Sequence, residues 1–383
     1  MSGRSGRSPA VCFLLGLPRS GTTLLAHLLQ HHPDILAPPE PWLMLALEAF
    51  GGVKPGHPAD SSLIEAATCE FLGRLDRRIV SRAFADAAYD QYLVEAGKRI
   101  IVDKTPRYWT ALEFLDSVYP EAPHILLMRN PYAIAASLKS TWGIPLWAES
   151  LESVSVAGLV DLMLRLPNFM ISSLADLVLG LPALAEHRTR PQTQLVLYEM
   201  LVAHPDEEVR RLLTSLGCDP AAFTSTNMTQ ADYLRTSSFG DRKILERTAI
   251  DRSSVEAWRS QLSVQELQTV TDLVGTELFQ ELGYEQELLH AQKAGVIDRG
   301  GELTKLYRRT FRAWWKSQIA KSGKLSDPSH AGEPAHTAWH VSDNRDVAIE
   351  ILREEVARLE QILNVRDAKV YRAEVRPART DRS

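Results

Sequence analysis

The run Gly16-Leu17-Pro18-Arg19-Ser20-Gly21-Thr22-Thr23 combines small residues, a guanidinium and hydroxyls directly after the apolar segment Val11 to Leu15. A helical pattern, Thr22 to Gln30, opens from it. Small residues let the backbone turn tightly so that successive N–H groups face inward, and a helix N-terminus adds partial positive charge. Pro18, Arg19, Ser20, Gly21, Thr22 and Thr23 are therefore expected to cradle an anion of diphosphate size. An ordinary glycine turn capped by Thr22 would share the composition. A nucleotide kinase or GTPase carries Lys after the second glycine of such a loop. Here Thr22 holds that place and the cation, Arg19, precedes the glycine, which breaks the nucleoside-triphosphate signature.

Two further groups follow apolar segments. Arg129 comes immediately after His124 to Met128, in Arg129-Asn130-Pro131, with Ser137 on the next helical pattern. A guanidinium leaving a strand end is a fixed fork suited to phosphate, and Ser137 can donate to the same oxygens. Such an Arg with a distant Ser is elsewhere a surface ion-pairing residue. A P-loop NTPase wants an acidic metal ligand near a strand end, a place where this chain has Met128 and Arg129. Lys104, in Val102-Asp103-Lys104-Thr105-Pro106, can reach a site above the strand ends or stand as an exposed loop lysine. His27 and His31 lie one helical turn apart with His32 adjacent, but no third ligand pattern accompanies them. His31 and His32 are expected to end the helix, and the three histidines are not expected to bind metal.

The elements that must position these groups are legible as alternation. Val11 to Leu15, Ile100 to Val102, His124 to Met128 and Leu195 to Leu197 read as strands, each followed by a polar turn and a helical pattern. That order implies an α/β fold with a parallel sheet flanked by helices, and ligands bind at the carboxyl ends of its strands. Helices are expected over Thr22 to Gln30, Trp42 to Phe50, Ser61 to Leu75, Ile79 to Gly97, Tyr132 to Ser140, Glu152 to Leu179 with a break at Pro167, Asp206 to Leu216 and Val264 to Phe279.

Taken together, Gly-x-Pro-Arg-Ser-Gly-Thr-Thr, Asp-Lys-Thr-Pro, Leu-Met-Arg-Asn-Pro with the later Ser137, and Val-Leu-Tyr-Glu resemble sulfotransferases that use 3′-phosphoadenosine 5′-phosphosulfate (PAPS). The resemblance runs from about Val11 to Tyr284 and is nearest the branch of tyrosylprotein and bacterial small-molecule or glycan sulfotransferases. It implies a P-loop NTPase-like sulfotransferase fold with a C-terminal helical extension. It implies that Arg19 to Thr23 hold the 5′-phosphosulfate, Arg129 and Ser137 the 3′-phosphate, and that Tyr198 lies near the adenine, though Tyr198 would equally suit a strand-end core position. Gly240-Asp241-Arg242-Lys243 is similar to a family Gly-Asp-Pro-Lys element, with Arg242 in place of Pro, and makes Lys243 a donor-binding candidate. Lys104 would be the cation on the leaving oxygen.

Sulfuryl transfer needs an in-line acceptor oxygen and cations where charge accumulates on the leaving group. A sulfuryl group carries less charge than a phosphoryl, so fixed Arg and Lys suffice and no metal is expected. Glu40, in Pro38-Pro39-Glu40-Pro41-Trp42, is the best-placed base, in a proline-stiffened segment where the family branch also puts a glutamate. As an ordinary acid it would complement the dipole of the helix that follows. A P-loop kinase or NTPase, and a nucleotide-binding scaffold without chemistry, stay open as alternatives. The acceptor is expected to be a small molecule, glycan or lipid, with Trp142 and Trp147 among the residues shaping its pocket.

The 383 residues carry 43 Lys and Arg against 48 Asp and Glu, a net charge of −5, which argues against a whole-chain grip on nucleic acid and makes any polyanion site local. Three widely spaced cysteines without a Cys-x-x-Cys pair read as reduced thiols of a cytoplasmic protein, and no secretion signal or membrane span is expected. The expected organisation is a disordered 1–10, a sulfotransferase domain 11–285, a basic aromatic helix 286–325, a linker 326–345 and a charged helix and tail 346–383. In 304–324, Tyr307, Phe311 and Trp315 form a stripe that suits either an anionic membrane surface or, by preference, a cover over the catalytic domain. The heptad-spaced Leu352, Val356, Leu359 and Leu363 within 346–370 suit a helix that pairs with itself, the domain or a partner.

Overall fold

The computed structural model describes residues 10–50, 57–146, 166–223, 250 and 252–322. Its strands are β1 (Ala10–Leu15), β2 (Ile35–Leu36), β3 (Ile100–Lys104), β4 (His124–Met128) and β5 (Thr193–Leu197). They form one sheet in the order β2-β3-β1-β4-β5 with every pairing parallel, the expected architecture. β2 is a strand the sequence does not announce, because two residues are too short to show a period. It is recruited by register against Ile100 and Ile101 of β3.

Alternate residues of each strand enter different cores. Val11, Phe13 and Leu15 of β1 join Leu126 and Met128 of β4 on one face of the sheet. Cys12 and Leu14 join Ile125 and Leu127 on the other. Helices cover both faces, so these strands read as unbroken apolar runs rather than alternating ones.

The first helices are α1 (Thr22–Gln30), α2 (Leu43–Ala49), α3 (Ser61–Leu72), α4 (Arg77–Ala96), α5 (Leu112–Val118) and α6 (Pro131–Trp142). Their ends follow capping chemistry. In α6, Pro131 occupies the first turn, the Asn130 side chain accepts from Tyr132 N, and Gly143 closes the helix in the left-handed conformation. The helix Asn168–His187 begins after Pro167 and contains a π turn at Asp176–Gly180. By length and composition it could cross a membrane, yet 61% of it is buried within the fold as a core helix. Val264 to Phe279 is two helices, Val264–Val274 and Thr276–Glu281, instead of one. Gly275 divides them with φ 88°, a conformation that strains other residues, and a Cβ there would press on Thr304 of the C-terminal helix at 3.1 Å from its Cγ2.

That C-terminal helix, Gly301–Ser322, puts Tyr307, Phe311 and Trp314 into the same core as Phe13. Trp315 lies 5.1 Å from the Trp109 ring. The aromatic stripe thus covers the domain, the preferred of its two sequence readings. The N-terminal 1–9, Trp147, Lys243 with its Gly-Asp-Arg-Lys segment, the linker 326–345 and the helix within 346–370 lie outside the described residues.

Candidate active site

The turn after β1 is built from backbone geometry that side chains resist. Arg19 has φ 69° and Gly21 φ 101°, with Ser20 between them folding back so that its N–H and hydroxyl both donate to Leu17 O at 3.1 and 2.7 Å. Left-handed residues in such succession turn N–H groups to one side, forming an anion-binding concavity. A Cβ at Gly16 would meet Leu127 O at 2.9 Å, so the loop lies flush against β4. Gly21 is the N-cap of α1 and brings no side-chain cap, which leaves the first N–H groups to a ligand. Pro18, Ser20, Thr22 and Thr23 are buried around this concavity.

Lys104 ends β3, paired in register with Leu14 of β1, so its side chain emerges beside the loop. It is buried, and its Nζ donates to Glu40 Oε1 at 2.8 Å and to Thr23 Oγ1 at 3.4 Å. The carboxylate and the ammonium that the sequence sets 64 residues apart are an ion pair, with Glu40 only 13% exposed. Glu40 and Trp42 both have positive φ, 41° and 54°. Non-glycine residues held this way cost about 1–3 kcal/mol each and cluster where surroundings over-determine them, commonly at functional sites.

Arg129 follows β4 and turns toward the loop. Its Nη1 donates to Arg19 O at 2.8 Å, and its Nη2 donates to Ser254 O at 2.7 Å. The guanidinium carbon lies 4.2 Å from the centre of the Tyr198 ring. Among the described residues its buried Nε has no partner, which leaves a donor open to a ligand. Burial pushes the Arg129 pKa below its usual value, and the nearby Tyr198 and Glu199 offset part of that, so the residue stays a cation at neutral pH. Ser137 on α6 accepts from Arg19 Nε at 3.0 Å, which joins the two expected cradles through their own side chains. Tyr198 packs its ring on Gly21 and shares a 2.8 Å hydrogen bond with Ser254 Oγ.

Every described candidate, Pro18 through Thr23, Glu40, Lys104, Arg129, Ser137 and Tyr198, therefore stands in one continuous set of contacts. Sequence reasoning passed over Ser254, whose only signal is a serine pair four residues before the buried Trp258. It also gave no role to Glu199, which accepts from Asn130 N at 3.0 Å and Tyr284 Oη at 3.1 Å and so fixes the turn that carries Arg129. Burial raises the Glu199 pKa, and those hydrogen bonds with the Arg129 charge oppose the rise.

Two described clusters have ligand types that suit a metal, His32 with Asp34 and Cys218, and Asp116 with His124 and His187. Both sit at the opposite, N-terminal ends of strands, where their members already pair. His32 Nε2 donates to Asp219 O at 3.0 Å, and Asp116 is ion-paired with Arg190. His31 donates its Nδ1 proton to His27 O at 2.8 Å, the helix-ending role expected of it.

Comparison with known proteins places this geometry. The Sulfotransferase family model matches residues 11–222, which contain every described candidate, with Ser254 beyond its end. The nodulation protein NoeE of Sinorhizobium fredii (strain NBRC 101917 / NGR234) is 62% identical over 308 residues, 80% of this chain and 74% of that protein. Among solved structures, the sulfotransferase domain from the curacin biosynthetic pathway covers 70% of this chain and 98% of its own length at 20% identity and a TM-score of 0.45. The sulfotransferase domain of the Synechococcus PCC 7002 olefin synthase covers 71% and 97% at 22% identity and a TM-score of 0.43. With a family match over more than half its length and a relative of such identity, the chain belongs to the sulfotransferase family.

Proposed function

We propose that the chain transfers a sulfuryl group from PAPS to an acceptor hydroxyl or amine and releases adenosine 3′,5′-bisphosphate. The single observation that carries the donor assignment is the contact of Arg129 Nη1 with Arg19 O, with Arg129 Nε left unpartnered among the described residues. Two anion-binding elements so close suit a nucleotide with one anionic group at each end of its sugar. The Arg19–Thr23 loop and the N-terminus of α1 would hold the phosphosulfate, Arg129 and Ser137 the 3′-phosphate, and Tyr198 with Ser254 the nucleoside between them.

The transfer follows from the Glu40–Lys104 pair. The acceptor oxygen attacks sulfur as the bond from sulfur to the 5′-phosphate oxygen breaks. Glu40 takes the acceptor proton, and Lys104 donates to the leaving oxygen as its charge develops. Both groups act from fixed backbone positions, so the cation and the base require little reorganisation. Trp142, which lies 5.8 Å from the Arg19 guanidinium, would offer an apolar wall to the acceptor. A sugar, phenol or lipid alcohol suits such a wall. The thiols Cys12, Cys69 and Cys218, which form no disulfide with one another, suit a reducing, cytoplasmic compartment.

Calorimetry tests the donor assignment. Arg129→Ala is expected to weaken adenosine 3′,5′-bisphosphate roughly 10- to 100-fold, the loss of charge-assisted hydrogen bonds. Adenosine 5′-phosphosulfate, which lacks the 3′-phosphate, should lose far less. Equal losses would overturn the assignment.

A further inference from the structure

Asp103 adjoins Lys104 on β3 and faces the opposite side of the sheet, because successive strand residues alternate. It is fully buried. The hydroxyls of Tyr89 and Tyr108 both donate to its Oδ2, Tyr108 at 2.8 Å. The Tyr108 hydroxyl accepts in turn from Met44 N at 3.4 Å, at the first turn of α2. Beside it, Thr105 Oγ1 accepts from Trp42 N at 3.1 Å, and Pro39 forms a parallel bridge with Lys104. The segment after β3 therefore grips the chain on both sides of Glu40, and Asp103 anchors the far end of that grip.

We propose that Asp103 is a positioning residue, which by fixing Tyr108 holds the left-handed backbone at Glu40 and Trp42 and so keeps the Glu40 carboxylate against Lys104. A strained turn persists only where several contacts over-determine it, and here those contacts come from one segment. The kinetic consequence rests on the sulfuryl-transfer assignment; the geometric one does not.

The protonation state of Asp103 enters as a consequence. Burial pushes its pKa up to about 6, against the hydroxyls of Tyr89 and Tyr108 and the charge of Lys104, which lower it. The groups facing it are Tyr89 from α4, Tyr108 and Thr105 from the turn after β3, Tyr119 after α5, and Lys104. Burial raises the pKa of all three tyrosines, so they remain donors. As a carboxylate Asp103 accepts from two of them. Once protonated it carries a hydrogen of its own, for which Oδ1 has no hydrogen-bond partner among the described residues beyond the neighbouring Thr105 hydroxyl.

The full chain tests this with radiolabelled PAPS, read as transfer to an acceptor or as slow hydrolysis to sulfate. Asp103→Ala is expected to lower kcat about 10- to 100-fold, the effect of a small misplacement of reacting groups. Calorimetric affinity for adenosine 3′,5′-bisphosphate should be unchanged, since the loop and Arg129 are untouched. Asp103→Asn, whose amide oxygen can accept from both tyrosines at any pH, should restore most of kcat and remove an acid limb near pH 6. A crystal structure of Asp103→Ala with the bisphosphate should show Glu40 and Lys104 separated beyond about 4 Å. Wild-type kcat, a matching loss of bisphosphate affinity, or an intact ion pair in Asp103→Ala would overturn the proposal. Should that variant not fold, Asp103→Asn decides through the acid limb, and a limb like the wild type's overturns it. If the wild-type chain neither binds bisphosphate nor consumes PAPS, sulfuryl transfer is the assignment that fails, and a crystal structure of unliganded Asp103→Ala, read for the Glu40–Lys104 distance, still judges Asp103.

Discussion

The ring of Tyr198 fills the space into which a side chain at residue 21 would project. A Cβ on Gly21 would come within 2.4 Å of Tyr198 Cδ2, and Gly21 itself has φ 101°. Arg129 lies over the same ring. Glycine, phenol and guanidinium thus join the loop after β1 to Arg129, and the join requires the missing side chain.

Gly21→Ala should therefore weaken adenosine 3′,5′-bisphosphate by at least about tenfold, since a left-handed alanine costs about 1–3 kcal/mol before the clash is counted. Gly97→Ala is the control. Gly97 has φ 65° but open space around its Cα, so that variant should lose about 1 kcal/mol of stability and no affinity. Equal affinity in the two variants would count against the stack.

The Glu40–Lys104 pair predicts separable defects. Glu40→Gln keeps an oxygen near Lys104 but removes the proposed base, and should reduce kcat about 10²- to 10⁴-fold with bisphosphate affinity retained. Lys104→Met removes the cation proposed for the leaving oxygen, and should reduce kcat about 10²- to 10³-fold. Single-turnover kinetics with labelled PAPS would read both; a variant within a factor of a few of wild type would exclude that residue from the chemistry.

His124 sets an acid limit on stability. Burial, then the charges of Arg190 and His187, push its pKa down from 6.5 to about 2. The unfolded chain binds a proton there that the folded chain refuses, so this stability is present above pH 6.5 and is lost as pH falls toward 2. The loss is on the order of a few kcal/mol by pH 4. Urea unfolding of His124→Gln at pH 7 and pH 5 should show a smaller decline than wild type. Parallel declines would assign the acid sensitivity elsewhere.

Phe311 measures whether the C-terminal helix belongs to the fold. It is 1% exposed in the core that holds Phe13, so Phe311→Ala should cost about 3–5 kcal/mol in chemical denaturation. The exposed Arg312→Ala should change stability by less than about 0.5 kcal/mol. A cost under about 1 kcal/mol at Phe311 would show that the helix merely rests on the surface.

The sequence by itself determined the local elements and the types of group at the strand ends. The boundaries of α1, the five residues of β4 and the glycine loop are all legible because periodicity and turn chemistry are encoded within a few residues. Only the tertiary structure decided which of these groups meet. Arg19 and Ser137 are 118 residues apart, Arg19 and Arg129 are 110, and the two-residue β2 exists only because β3 offers it an edge. Such pairings depend on the order of strands in the sheet, and that order is set by how both faces bury their apolar residues together. A local pattern carries no record of it, which is why Ser254 went unmarked and why Glu40 and Lys104 became a pair only when β3 was folded against β1.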